Sequence, residues 1–175
     1  IFDNGSSGVA GCHNADYTTR IAKNYLIGGN KIYSNGERCI ALKAIDGIVI
    51  SQNSCTGPCA REQGVGIALA YGANCLPCKN AIVQYNTIYN ISTGIFNGGS
   101  WGCDNCSYIG NRIHNATNAY TCKYDPAFNG WGIQLGGSHG TTRVTDNTCY
   151  NCERGVVSVE YLRLTGTDVL INERN

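Results

Sequence analysis

The chain has 175 residues, of which 23 are Gly, 20 are Asn and 11 are Cys, and it contains no Met. Charged residues make up 14% and the formal net charge is +1, with the basic residues scattered. The clustered positive field that a nucleic acid or an anionic membrane requires is therefore missing, and no apolar run approaches the ~20 residues of a membrane-spanning helix. Gly or Asn interrupts almost every window of ten, which excludes long helices and leaves a β protein.

A chain that opens at Ile1 without Met reads as a processed or excised product. Its cysteine content points to an oxidising compartment, hence to secretion into the extracellular space. Sequons at Asn4, Asn90, Asn105 and Asn115 are candidate glycosylation sites.

One repeat runs through the whole chain, and a single domain is expected over residues 1–175. Its form is apolar-x-apolar-x-x-Asn-x-apolar, then a turn, then Gly-apolar. Copies begin at Tyr25, Ile48, Ala81, Cys106 and Thr142, each followed by an Asn: Asn30, Asn53, Asn86, Asn111 and Asn147. Two residues on comes an inward position: Ile32, Cys55, Ile88, Ile113 and Cys149. A second strand is predicted to start at Ile40, Ile67, Ile95, Ile133 and Val156. Alternation over three to five residues indicates short strands with one face buried. Asn and Gly at fixed points suit turns with positive φ, and stacked Asn side chains would hydrogen-bond as a ladder. These features predict a parallel solenoid whose coils bury their apolar edges against one another.

The stretches Asn30-Lys31-Ile32-Tyr33-Ser34-Asn35 and Asn86-Thr87-Ile88-Tyr89-Asn90 resemble the repeats of the pectin-lyase-like superfamily. That resemblance implies an all-β, right-handed parallel β-helix, here of about six coils. No capping helix is found in the sequence, and disulfides are expected to staple the coils. The superfamily hosts lyases, hydrolases, epimerases, phage spikes and adhesins, so the resemblance leaves function open.

The two chain ends fit each other. Val169, Leu170 and Ile171 match the first half of a repeat, and residues 1–9 match the second half, with Ile1 at the Ile32 position and Val9 at the Ile40 position. Arg174 stands where Asn is expected. Either one copy's C-terminal half-coil is completed by the next copy's N-terminal half-coil, giving a head-to-tail homopolymer, or the chain is cut from a longer β-helix. Six coils would rise roughly 29 Å.

Among the cysteines, Cys55/Cys59, Cys75/Cys78, Cys103/Cys106 and Cys149/Cys152 form close pairs, while Cys12, Cys39 and Cys122 stand apart. Counted from the Gly-apolar strand, Cys75 aligns with Cys103 and Cys78 with Cys106. Disulfides that staple coils or close turns are expected there; a Cys₄ zinc site from the same four residues is the alternative. Cys55 and Cys149, at inward positions, also suit small core residues. No Cys pair is followed by His, and no cofactor is expected.

Outward strand positions are Ala10, Ala41, Ala68, Phe96, Gln134 and Val157 in one column and Leu26, Val49, Ile82, Ser107, Arg143 and Leu170 in another. A single charge among these twelve is a poor floor for acid–base chemistry and a plausible interaction surface. Loop residues His139, Asp125 and Lys123 remain as catalytic candidates, with Arg61, Glu62 and Asp104 as possible groove residues. The Gly137-Ser138-His139-Gly140 turn is similar to the Gly-His-Gly element of polygalacturonase-like hydrolases, but lacks the aspartate pairs that go with it.

The residue after each inward corner position is Phe2, Tyr33, Thr56, Tyr89, His114 or Tyr150, nearly one ring per coil. Such a ladder would stack on itself, bind sugar units or pack against a neighbour. The expected function is an extracellular structural protein that stacks head to tail into a filament. A polysaccharide lyase or glycoside hydrolase, and a glycan-binding or adhesin segment, are the alternatives.

Overall fold

Each coil is built from three short strands, and residues with positive φ turn two of its corners. The computed structural model describes residues 1–4, 6–11, 21–57, 64–70, 76–98, 103–117, 130–136 and 141–158. The chain enters through β1 (Val9–Gly11). It then runs through β2 (Ala22–Gly28), β3 (Lys31–Tyr33) and β4 (Arg38–Leu42), and next β5 (Ile45–Ser51), β6 (Ser54–Thr56) and β7 (Val65–Ala70). The third full coil is β8 (Lys79–Gln84), β9 (Thr87–Ile91) and β10 (Thr93–Gly98), followed by β11 (Ser107–Ile109), β12 (Arg112–Ala116) and β13 (Trp131–Leu135). The last described coil is β14 (Arg143–Thr145), β15 (Thr148–Tyr150) and β16 (Arg154–Ser158).

Every third strand pairs in parallel, so the strands form three all-parallel sheets around one core. Sheet 1 has the order β14-β11-β8-β5-β2, sheet 2 β15-β12-β9-β6-β3, and sheet 3 β1-β4-β7-β10-β13-β16. This is a parallel β-helix, and no helix occurs among the described residues.

Two columns of left-handed residues make the corners. Gly29, Gln52, Tyr85, Gly110 and Asp146 have φ of 67°, 57°, 54°, 59° and 56°, and each directly precedes a ladder Asn. Asp3, Ser34, Gly57, Asn90, Asn115 and Asn151 do the same after sheet 2. Left-handed backbone is costly for a residue with a Cβ, so the corner at Tyr85 exists because the ladder and core on either side hold it.

The sequence reading needs two adjustments. The inward residues Ile32, Cys55, Ile88, Ile113 and Cys149 lie in strands in their own right, forming sheet 2. Most strands of sheet 3 begin two residues earlier than the apolar pattern suggests, at Arg38, Val65, Thr93, Trp131 and Arg154.

The core is continuous from coil to coil. Ile32, Cys55, Ile88 and Ile113 line one wall, Ile40, Ile67, Ile95 and Ile133 another, and Ile50, Val83, Tyr108 and Val144 the third.

Candidate functional site

The Asn ladder runs through the interior. Asn30 Nδ2 donates to Asn53 Oδ1, Asn53 Nδ2 to Asn86 Oδ1, and Asn86 Nδ2 to Asn111 Oδ1, each at 3.0 Å; Asn111 Nδ2 donates to Asn147 Oδ1 at 2.8 Å. The backbone N–H of each donor Asn goes to the same oxygen. Every rung thus points toward the C-terminal end, and Asn30 Oδ1 at the opposite end accepts no hydrogen bond among the described residues.

That end is open. Tyr25 lies in register with Ile48 and Ala81, both inward and at most 1% exposed, yet Tyr25 is 52% exposed. Leu26 beside it is 74% exposed. The cause is topological: sheet 3 continues past β4 to β1 and sheet 2 past β3 to an isolated bridge at Phe2, whereas among the described residues sheet 1 stops at β2. Among those residues no strand pairs with the outer edge of β2, which stands beside exposed apolar side chains.

The join residues on the N-terminal side occupy the last half-turn. The Ile1 amine donates to Lys31 O at 3.0 Å, Tyr33 N–H donates to Ile1 O at 3.1 Å, and Val9 pairs with Ile40. Val169, Ile171 and Arg174 lie outside the described residues, as do Cys12, Cys59, Cys75, Cys122, Lys123, Asp125, His139, Arg61 and Glu62.

Rings stack at the step of the coil. Phe2 and Tyr33 are 5.0 Å apart and 10° from parallel; Tyr89 and His114 are 5.0 Å apart and 4°; His114 and Tyr150 are 4.9 Å apart and 9°. Thr56 separates the two groups. Within each stack the faces are taken by neighbouring rings, which leaves mainly edges for a ligand; Phe2 and Tyr150, 57% and 52% exposed, end the column. Burial lowers the His114 pKa from its ordinary value of 6.5.

A second amide ladder escaped the sequence reading. Asn151 Nδ2 donates to Asn115 Oδ1 at 2.6 Å, and Asn115 Nδ2 donates to Asn90 Oδ1 at 2.8 Å. The repeated ring-Asn dipeptides at 89–90, 114–115 and 150–151 were its signal. Among the four sequons, Asn4 and Asn115 thus use their amide nitrogens within the coil. Asn105 is exposed, and its Oδ1 accepts from Thr141 N–H at 3.1 Å.

Cys103 and Cys106 are joined by a disulfide that closes a turn within one coil. Bonded to each other, they cannot serve as two thiolates of a Cys₄ zinc site, and no metal-ligating cluster occurs among the described residues. The alignment of Cys78 with Cys106 is also corrected. Lys79 bridges Asp104, which sets Cys78 beside Cys103 instead. Cys78 follows Ile67 by three more positions than Cys103 follows Ile95, so a count carried forward from sheet 3 loses the register.

The outer columns match their expected registers except at Leu170, which lies outside the described residues. Their exposure differs. In sheet 1, Leu26 and Ile82 are exposed, and Arg143 brings the column's one charge. In sheet 3, Ala41, Ala68, Phe96 and Gln134 are buried, with Val65, Ala68 and Phe96 forming a small second core. The apolar stripe on sheet 3 is thus internal packing rather than a surface. Asp104 is half-buried next to the Cys103 turn.

No protein-family model, curated protein or solved structure matches the chain. The described geometry offers regular edges, ladders and stacked rings, which suit assembly more than acid–base chemistry.

Proposed function

We propose that the protein is an extracellular structural protein whose coils stack head to tail into a filament. Residues 169–175 of one copy lie along β2 of the next and complete the coil that its residues 1–9 begin. The observation that carries this is the open β2 edge, where Tyr25 occupies a core column and is nevertheless half exposed. Three further features support it. Asn30 Oδ1 waits for a donor at the head of the ladder. Val169 and Ile171 have the alternation of the strand that would cover Tyr25. Tyr150 and Phe2 end the ring column with one outer face each, so a following copy would continue the stack.

We further read the chain as a member of the pectin-lyase-like superfamily of right-handed parallel β-helices. The support is three parallel sheets and an internal Asn ladder. The Cys103–Cys106 bridge and the exposed Asn105 sequon favour an extracellular setting.

Sedimentation velocity on the native chain and on Tyr25→Lys tests the reading. A charge at Tyr25 is tolerated in water but not beneath an added strand. The native chain should sediment as large, concentration-dependent species and the variant as single copies with unchanged far-UV circular dichroism. Equal sedimentation of the two would contradict end-to-end stacking through β2.

A further inference from the structure

Sheet 3 contains a column with almost no side chains. In register down the coils stand Gly8, Cys39, Gly66, Gly94, Gly132 and Gly155. The column is glycine because the corner residue of the next coil fills its space. A Cβ at Gly8 would lie 2.5 Å from Ile32 Cγ2, at Gly66 2.5 Å from Ile88 Cγ2, and at Gly94 2.5 Å from Ile113 Cγ2. A Cβ at Gly132 would lie 2.5 Å from Cys149 Sγ and 3.1 Å from its Cβ. Each contact runs from one coil's glycine to the following coil's corner residue.

Cys39 is the exception in that column, and by the same offset it faces Cys55. Where the column gains a side chain, the isoleucine it would strike is replaced too. A Gly–Ile pair used three times has become Cys–Cys at this one level. Both residues are buried, at 4% and 0% exposure, and both are free thiols in this structure, close enough for Cys39 to act on the Cys55 thiol. Cys39 Sγ also reaches Ile32 O at 3.8 Å. Disulfides place Cβ atoms ~3.5–4.5 Å apart; the 3.1 Å that Gly132 and Cys149 indicate for these two columns is a few tenths of an ångström shorter, so the β4 and β6 coils part slightly when the bond forms. Two small core thiols would not need to face each other; a bonded pair must.

We infer that Cys39 and Cys55 form a disulfide through the core, linking the β4 coil to the β6 coil. The oxidant is a low-molecular-weight disulfide such as glutathione disulfide. One thiolate attacks it and releases one thiol as a mixed disulfide forms. The second cysteine then displaces the other thiol, so two electrons pass to the oxidant and the two cysteine protons end on the released thiols. The hydrogen bond with Cys39 and burial push the Cys55 thiol well above its ordinary pKa. Exchange in the closed coil is therefore slow, and the bond is made while the coils are still assembling. This inference is independent of the filament.

The test is refolding of the full chain, reduced and denatured, in a glutathione redox buffer. Remaining thiols are trapped with N-ethylmaleimide in denaturant, and the digest is mapped by mass spectrometry. The expected product is a peptide pair joined through Cys39 and Cys55, lighter than the two thiol peptides by two hydrogens. Maleimide on both residues, or either one bridged elsewhere, overturns the inference. The double variant C39G/C55I restores the pairing of the other coils and keeps the core filled. It should fold and show a smaller fall in melting temperature on reduction than the native chain. An unchanged fall in a folded variant also overturns it.

Discussion

Asn86 donates its side-chain amide to Asn111 Oδ1 at 3.0 Å and, through the same Nδ2, reaches Ile50 O at 2.9 Å. One side chain thus satisfies the next rung and a backbone carbonyl of the coil behind it, in a fully buried position. A buried group left without its partner costs about 1–3 kcal/mol, so the interior rungs stabilise the corner collectively.

The ladder should therefore be unequal along its length. Asn86→Ala takes the acceptor from the Asn53 N–H and Nδ2 and the side-chain donor from Ile50 O, leaving Asn111 Oδ1 only the backbone N–H of residue 86, and is expected to cost about 3–5 kcal/mol. Asn30→Ala, at the open end, removes a side chain that donates only to Gly28 O and Asn53 Oδ1. In dispersed chains it should cost about 1 kcal/mol. Urea denaturation of the two variants checks this, and equal losses would mean that the ladder is not cooperative.

Tyr108 is the one ring in the core column of Val83 and Val144. It is wholly buried, and its hydroxyl has no hydrogen-bond partner among the described residues. Burial, with Cys78 nearby, raises its pKa well above the ordinary value, so the neutral phenol is the folded form. Tyr108→Phe deletes the unsatisfied oxygen without changing the ring and should stabilise the fold by about 1 kcal/mol. Thermal melting of the variant below the native midpoint would show that the hydroxyl has a partner.

His114 is stacked between Tyr89 and Tyr150, and its burial favours the neutral imidazole. With the folded pKa below the unfolded value of 6.5, the unfolded chain binds the proton first as pH falls. Stability should therefore be full above that value and decline as pH drops toward the folded pKa. Titration of the His114 ring protons by NMR should give a midpoint below 6.5. His114→Tyr should flatten this part of the stability profile. A midpoint above the ordinary value would mean that the flanking rings attract the imidazolium more strongly than burial repels it.

Much of this architecture was legible in the residues themselves. The inward columns and the five ladder asparagines are visible because a solenoid repeats its local chemistry at each level, so Asn30 and Asn147 obey one rule. Sheet 2 was harder to see, since its β3, β6 and β15 strands are three residues each, too short for alternation to show. The second core around Phe96 was hidden for another reason: alternation tells which face a side chain takes, not whether that face is covered. The Cys78–Cys103 neighbourhood depended on the length of an intervening loop. The glycine column was legible as the Gly-apolar step of the repeat, but its cause, the Cβ collisions at Gly66 and Gly94, was not.

Electron microscopy of native, untagged protein at neutral pH without reductant tests the central claim most directly. Filaments with an axial repeat of roughly 29 Å, the rise of six coils, are the expected result, with Tyr25 and Phe2 at the joint between copies. Discrete short rods at the same concentration would contradict it.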